Sequence, residues 1–450
     1  MILVAHSYFL RHDPKQLTRL RPYAPLATLL TAALLRQRRH PIAFFDAMLS
    51  PGIDEFSAML EDTRPNIVAI VEDNFNYLTK MCTTRTRQAT LEMIRAAHEH
   101  GARVVVSGSD SADRPTTYFS AGADAVLLGE SEMTVLELAN LWTRHPRALP
   151  NEVTGLILPD GTRTPSRPAM RDLDVLPLPA WDLIDVEAYR DTWINRHGRF
   201  SWNMITSRGC PYGCNWCAKP VFGRRYTQRS PGAVAAEMRH IKNEIGADHI
   251  WFADDIFGLT ADWIAEFARS VAREGAATPF MIQSRVNLMR PDVVSALAAA
   301  GAEEVWLGVE SGSQKILDAM DKGTRVEEAR AATRALKARG IRACWFIQLG
   351  YPSETWSDVL LTRDLIREER PDEIGVSVSY PLPGTKFYEN VRADLGTKRN
   401  WEHTDDLAML FHGTYSTGFY RRLRDALHHE VTSGEEDDGR WDTLALERSA

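Results

Sequence analysis

Three of the chain's five cysteines lie on one short loop, GCPYGCNWC (209–217), as Cys210, Cys214 and Cys217 in the spacing Cys-x3-Cys-x2-Cys. Clustered thiolates are ligands for soft metals. A structural zinc site asks for four ligands in a closed tetrahedron, and an ordinary iron–sulfur cubane asks for four thiolates. Three thiols with no fourth beside them describe a metal centre with one corner left open for a ligand from outside the protein. A zinc site completed by Cys82, Cys344 or a histidine is the alternative. So is a ferredoxin-like electron carrier, which normally shows a fourth cysteine followed by proline. Cys82 and Cys344 read better as buried packing residues. An odd cysteine count with one cluster is no disulfide framework, so a reducing, cytoplasmic setting is expected.

Further downstream, polar residues recur at the ends of apolar runs. FADDIF (252–257) carries Asp254 and Asp255. QSRVNLM (283–289) places Gln283, Arg285 and Asn287 at alternate positions, hence on one face of a strand. GVESGS (308–313) carries Glu310 and Ser311, and LGYPSET (349–355) and YPLPGTKFY (380–388) follow. The arginine fork suits a carboxylate ligand. Taken singly, each has a bland reading: a helix cap for the two aspartates, an exposed strand end for Glu310, a polar surface stripe for Gln283 and Arg285. Their succession at the ends of consecutive strands is what points to a site.

The elements that must hold these residues form two α/β alternations. In residues 1–145, ILVAHSY, IAFFDA, NIVAIVED, ARVVVSGSD and DAVLLGE read as strands. LATLLTAALLRQRRH, TLEMIRAAHEHG and SEMTVLELANLW read as the helices between them. That pattern argues a doubly wound, Rossmann-like parallel sheet, with ligands at the carboxyl ends of its strands. Residues 146–199 are rich in proline and charge and read as a linker, with a hairpin at LPDGTR where Asp160-Gly161 marks the turn. In residues 200–390 six strands are expected at 203–207, 249–253, 279–284, 304–309, 343–349 and 373–379. Six βα units are too few for an eight-stranded barrel and describe a partial (β/α)6 barrel open on one side, with the cysteines at its C-terminal mouth. Residues 391–450 form a short C-terminal segment with a helical tail, ending in an acidic run, SGEEDDGRWD, expected to be solvated and mobile.

These residues resemble the radical S-adenosylmethionine (radical SAM) superfamily, whose signature is Cys-x3-Cys-x2-Cys. The resemblance covers much of residues 200–425 and implies a [4Fe-4S] cluster on Cys210, Cys214 and Cys217, with S-adenosylmethionine on the open iron. Reductive cleavage then gives a 5′-deoxyadenosyl radical that abstracts hydrogen from a substrate. It further implies cofactor-binding roles. Trp216 would shield the cluster near the adenine, and Asp254 or Asp255 would take the SAM amino group. Arg285, on the strand with Gln283, would take the carboxylate. Glu310, followed by Ser311, would lie near the ribose or amino group. Ser353 stands where the family's fifth-strand motif has glycine. A reducing partner such as flavodoxin or ferredoxin is implied as well.

An N-terminal α/β domain on such a barrel resembles the cobalamin-binding branch. That branch includes B12-dependent methylases, an anaerobic chlorophyll-ring cyclase and a radical dehydratase acting on an amino sugar (the apramycin pathway). A cobalt-ligating Asp-x-His-x-x-Gly string is absent here, and VVVSGSDSAD replaces the glycines that would let a corrinoid tail pass. The expectation is a cobalamin-binding-type domain that has kept the fold and lost the cofactor. The favoured reaction is hydrogen abstraction followed by radical dehydration or redox change on a polar small molecule, an amino sugar among them. Gln283, Arg285, Asn287 and Gln348 would line the barrel, and an acid and base would come from groups such as Tyr380, His403, His412 and Tyr415. A cobalamin-dependent C-methyltransferase is the alternative within the branch, and a non-catalytic iron–sulfur protein is the alternative outside it.

Composition narrows the partners. Hydrophobic residues make up 44%, charged residues 25%, and the net charge is −7. That balance gives no electrostatic case for nucleic acid or an anionic membrane, and no apolar run reaches the ~18 residues of a membrane span. A small-molecule substrate is the partner expected.

Overall fold

The computed structural model describes residues 1–73, 75, 83–218, 221–396 and 407–447. The chain forms two compact units. One is Met1–Gly209 with Pro220–Ala233 and His240–Ala253. The other is Cys210–Lys219 with Val234–Arg239 and Asp254–Ala450.

In the first unit the five apolar runs all become strands: β1 (Ile2–Ala5), β2 (Ile42–Phe45), β3 (Ile67–Val71), β4 (Arg103–Ser107) and β5 (Ala125–Leu127). A sixth, β6 (Leu156–Ile157), joins them, and the order is β2-β1-β3-β4-β5-β6. β1 to β5 run parallel, and β6 lies antiparallel on β5. Both faces are covered by helices, which is why these strands read as continuous apolar runs. Leu3, Val68, Ile70, Val104 and Val106 sit at the centre of the core. Helix Leu26–Gln37 buries its first ten residues, Leu26 to Leu35. Thr28 and Thr31 are tolerated there because their hydroxyls donate to Val71 O (2.6 Å) and Ala27 O (2.8 Å). The hairpin expected at LPDGTR forms: Leu158 N–H donates to Thr162 O (2.9 Å), around Gly161 at φ 87°.

The same unit holds β7 (Ser201–Met204), the short antiparallel pair β8 (Ser207–Arg208) and β9 (Thr227–Gln228), and β10 (His249–Phe252), which runs parallel to β7. The second unit holds β11 (Phe280–Ser284), β12 (Ala302–Glu310), β13 (Arg342–Leu349) and β14 (Glu373–Val378), parallel and in the order β14-β13-β12-β11. All six strands expected downstream of residue 200 are therefore present, with helices such as Ala261–Glu274, Pro291–Ala300, Val326–Lys337 and Trp356–Glu369 following them.

Alternation sorts the two faces of the second unit's sheet. Val305, Leu307, Ala343, Trp345 and Ile347 are buried, and Trp345 Nε1 donates to Thr333 Oγ1 (3.0 Å) on helix Val326–Lys337, so this face meets the helices. Trp306 and Phe346 lie on the opposite face, half-buried and stacked at 4.8 Å. The alternation stops at Ser284, because Val286–Leu288 turns as a 3-10 helix. Asn287 is therefore not on a strand face with Gln283, as its spacing had suggested.

The acidic run near the C-terminus is largely exposed, as expected, but it is structured: residues 434–437 bridge helix Thr417–Ser433 to helix Asp438–Glu447, and Trp441 is buried. Arg367 bonds Glu430 (2.6 and 3.0 Å), just before the run, and Asp438 (2.9 Å) within it. Among the described residues no helix is long and apolar enough to cross a membrane.

Candidate functional site

The cysteine loop begins where Gly209 takes a left-handed φ of 78°. A Cβ there would lie 2.0 Å from Arg225 O, so only glycine lets the chain leave β8 at this point. Within β8, Arg208 is fully buried between Glu130 (2.8 Å) and Glu132 (2.7 Å). Cys214 is buried, while Cys210 and Cys217 are half-buried, and none of the three is in a disulfide. The loop turns tightly, with Cys217 N–H 3.4 Å from Cys214 O.

Arg285 reaches this loop from the end of β11. Its Nη1 lies 3.4 Å from Cys214 Sγ, and its guanidinium stacks over the Tyr212 ring at 3.8 Å. Its Nη2 donates to Lys322 O, and its Nε lies 3.2 Å from Asn287 Oδ1, so Arg285 and Asn287 meet after all, through the turn. Glu310 ends β12 in a left-handed conformation, φ 66°, and its Oε1 takes Lys322 Nζ at 2.6 Å, with both side chains buried. Arg285, Cys214, Glu310 and Lys322 thus form one continuous group in the second unit.

The remaining expected residues divide. Asp254 is buried and Asp255 exposed, so of the two Asp254 is the one placed away from solvent. Trp216 is half-buried, and its indole N–H has no partner among the described residues. Gln283 is half-buried beside Trp306 in the register of β11 with β12. Ser311 is turned elsewhere: its hydroxyl lies 3.3 Å from Thr362 Oγ1 and accepts Ser313 N–H (3.1 Å), which shapes the loop after β12. Gln348, expected to line the barrel, gives its amide to Ser379 Oγ (2.9 Å).

Cys344 is a buried packing residue near the start of β13, between Glu304 and Glu373; burial first, then Glu304, pushes its thiol up. Arg342 pairs both carboxylates. Cys82 and His403 lie outside the described residues. His412 is exposed and Tyr415 packs its ring on Phe419 at 4.5 Å. Lys322 and Asn215 were not foreseen. The only sequence signal for Lys322 is DKG after a helix, and Asn215 is marked only by lying between two of the clustered cysteines, Cys214 and Cys217.

The donor set fits a cluster with an open iron: three thiols on one loop, one of them already beside a cation. Cobalamin fits less well. In the first unit the carboxyl ends of β1, β3 and β4 are filled by the chain's own side chains. Ser7 N–H and Oγ bond Glu72 Oε1 (3.2 and 2.5 Å), and Ser7 Oγ meets Thr90 Oγ1 (2.5 Å). Glu72 presses on Gly108 so closely that a Cβ there would sit 3.1 Å from its Cγ. Burial pushes the Glu72 carboxyl above the usual range. Beside it Asp110 takes Arg87 in two 2.6 Å bonds and the Tyr118 hydroxyl at 2.7 Å, so its carboxylate is paired within the chain. Glu72 Oε2 keeps no partner among the described residues, but Ser7, Glu72 and Asp110 occupy this edge, and the described residues there do not offer the glycine-lined path that a corrinoid's nucleotide tail needs.

Comparison with known proteins agrees with this geometry. Residues 204–366 match the model of the radical SAM superfamily. An uncharacterized methyltransferase of Pyrococcus horikoshii is 29% identical over 62% of this chain, but the match spans only 60% of that protein's own length. The hopanoid C-3 methylase of Methylococcus capsulatus is 27% identical over 83% of this chain and 70% of its own. Among solved structures, the radical SAM methyltransferase TsrM from Kitasatospora setae, with cobalamin and a [4Fe-4S] cluster bound, superposes with a TM-score of 0.71 at 19% identity. That match covers 89% of this chain and 76% of TsrM, and it shows a common fold. Residues 204–366 of the chain carry a radical SAM domain.

Proposed function

We propose that this enzyme abstracts a hydrogen atom from a carbon of a small-molecule substrate, and that the substrate radical then loses a neighbouring hydroxyl or is oxidised. The observation that carries the first step is the placement of Arg285 on Cys214 within a loop of three cysteines that are in no disulfide. When bound, a [4Fe-4S] cluster with S-adenosylmethionine supplies the one-electron chemistry that makes a 5′-deoxyadenosyl radical. The chain's own residues do the rest. Cys210, Cys214 and Cys217 would hold three of the irons. Arg285 would offer its N–H fork to a carboxylate. Asp254 and Glu310 would take an ammonium or ribose hydroxyls, and Trp216 would keep water from the cluster. A flavodoxin or ferredoxin would bring the electron.

The closed edge at Ser7, Glu72 and Asp110 supports the outcome without cobalamin. A second reading, methylation of the abstracted carbon, is favoured by the relatives, since the Pyrococcus and Methylococcus proteins are both named for methyl transfer. Anaerobic reconstitution with iron and sulfide, followed by dithionite and S-adenosylmethionine, should yield 5′-deoxyadenosine; none would end the radical reading. The same incubation with and without hydroxocobalamin separates the two outcomes. Cobalamin that co-elutes at one per chain would establish the methylation reading.

A further inference from the structure

Asn215 lies between Cys214 and Trp216 and uses each of its hydrogen-bonding groups to fix the loop. Its N–H donates to Met320 O (3.0 Å), and its carbonyl accepts Phe387 N–H (3.0 Å). Its side-chain Nδ2 donates to Ala319 O (2.7 Å) and Asp321 Oδ2 (3.2 Å). The Tyr351 hydroxyl lies 3.0 Å from Asn215 Oδ1 and 2.9 Å from Ala319 O, and shares its proton between them. The residue is 5% exposed. Around it, Tyr351 stacks on Phe387 at 5.3 Å, and Asp321, held at φ 50°, also takes Lys386 Nζ (3.1 Å). Three segments therefore converge on one amide: the end of helix Gln314–Ala319, the turn after β13, and helix Lys386–Val391.

The chemistry of the position singles out asparagine. It must donate toward two acceptors and accept from a hydroxyl, within one side chain of fixed length. Aspartate would set a carboxylate against Ala319 O and Asp321. Alanine would remove the bonds to Ala319 O, Asp321 Oδ2 and the Tyr351 hydroxyl, leaving only the Tyr351–Ala319 bond to tie the segments there. Neither neighbouring cysteine can move far while both backbone groups and the side chain of Asn215 are held.

We infer that Asn215 is a positioning residue that sets the cysteine loop before iron arrives, so that Cys214 and Cys217 meet a cluster in a shape already formed. This rests on the loop being a cluster site. Two measurements test it on the full chain, with Asn215→Ala, Asn215→Asp and Tyr351→Phe beside the wild type. Hydrogen exchange of residues 210–218 in the metal-free protein should be about tenfold faster in N215A, with Y351F between it and the wild type. After anaerobic reconstitution, N215A should carry substoichiometric iron and sulfide, with a broadened electron paramagnetic resonance signal from the reduced cluster. Wild-type protection together with a full, spectroscopically unchanged cluster in N215A would overturn the inference. If N215A fails to fold by circular dichroism, Y351F decides on the same criteria. Should the wild type itself load no four-iron cluster, the cluster reading fails, and the exchange contrast still judges the anchor.

Discussion

Lys322 Nζ lies 2.6 Å from Glu310 Oε1 with both side chains only 6% exposed, which makes this a buried ion pair beside the cysteine loop. Gly308 is part of the same arrangement, since a Cβ there would lie 2.6 Å from Lys322 Nζ and 2.8 Å from Glu310 Oε1. A buried carboxylate stripped of its partner is costly, whereas replacing both partners by neutral groups is far less so. Lys322→Met should therefore destabilise the chain by about 3–5 kcal/mol, and Glu310→Gln with Lys322→Met should recover most of that loss. Denaturant melts of Lys322→Met, Glu310→Gln and the double complete the cycle. A K322M single as stable as the double would show that the pair is not coupled.

Arg285 combines two tasks that mutation can separate. Its Nη1 approaches Cys214 Sγ at 3.4 Å, and a donor on a ligating sulfur stabilises the more negative, reduced state of a cluster. Arg285→Lys keeps the charge and loses the fork and the stacking on Tyr212 at 3.8 Å. The expected result is a cluster of full iron content with weakened S-adenosylmethionine binding by calorimetry. Arg285→Ala should in addition lower the midpoint potential in a redox titration. An unchanged potential in R285A would remove the arginine from the cluster's electrostatics.

The strands and the thiols were legible because each depends on local pattern. Ile67–Val71 and Arg342–Leu349 are apolar runs between polar punctuation, and Cys210, Cys214 and Cys217 carry their meaning in spacing alone. What was not legible depends on distant partners. Asn215 acquires its role from Ala319 and Tyr351, and Lys322 from Glu310 at the far end of a loop. Asn287 was misplaced because period-two reasoning continues past Ser284, where the backbone tightens into a turn. The acidic run is exposed as its composition suggests, but composition cannot see that it continues into a helix anchored by buried Trp441 and by Arg367 on Asp438.

Ser353 occupies a position where the related motif has glycine, and the backbone shows the consequence: φ is 72°, in the left-handed region. An L-residue there carries a steric cost of about 1–2 kcal/mol that glycine avoids, partly offset by glycine's greater freedom in the unfolded chain. Ser353→Gly should stabilise the chain by up to about 1 kcal/mol. Ser353→Val, with a branched Cβ, should destabilise it by more. Thermal melts of the two variants read the sign; a destabilised S353G would mean that the serine hydroxyl has an unrecognised partner.

Glu354, the next residue, sits in the opposite situation, buried and short of partners. Gly350 N–H donates to its Oε2 at 2.6 Å, but its Oε1 has no partner among the described residues, and neither does the buried hydroxyl of Tyr420. Burial pushes the Glu354 carboxyl up to about 8, with nearby Asp358 adding to the shift. The folded chain therefore keeps a proton that the unfolded chain releases near the ordinary glutamate value of 4.5. More protons bound to the folded state means that stability falls as pH rises through this window, by a few kcal/mol between about pH 4.5 and 8, and levels off above it. Glu354→Gln keeps an acceptor for Gly350 and cannot ionise, so its melting temperature should be flatter than the wild type's across the same range. Parallel pH profiles for E354Q and wild type would show that Glu354 is already ionised in the fold, and that its second oxygen has found a cation.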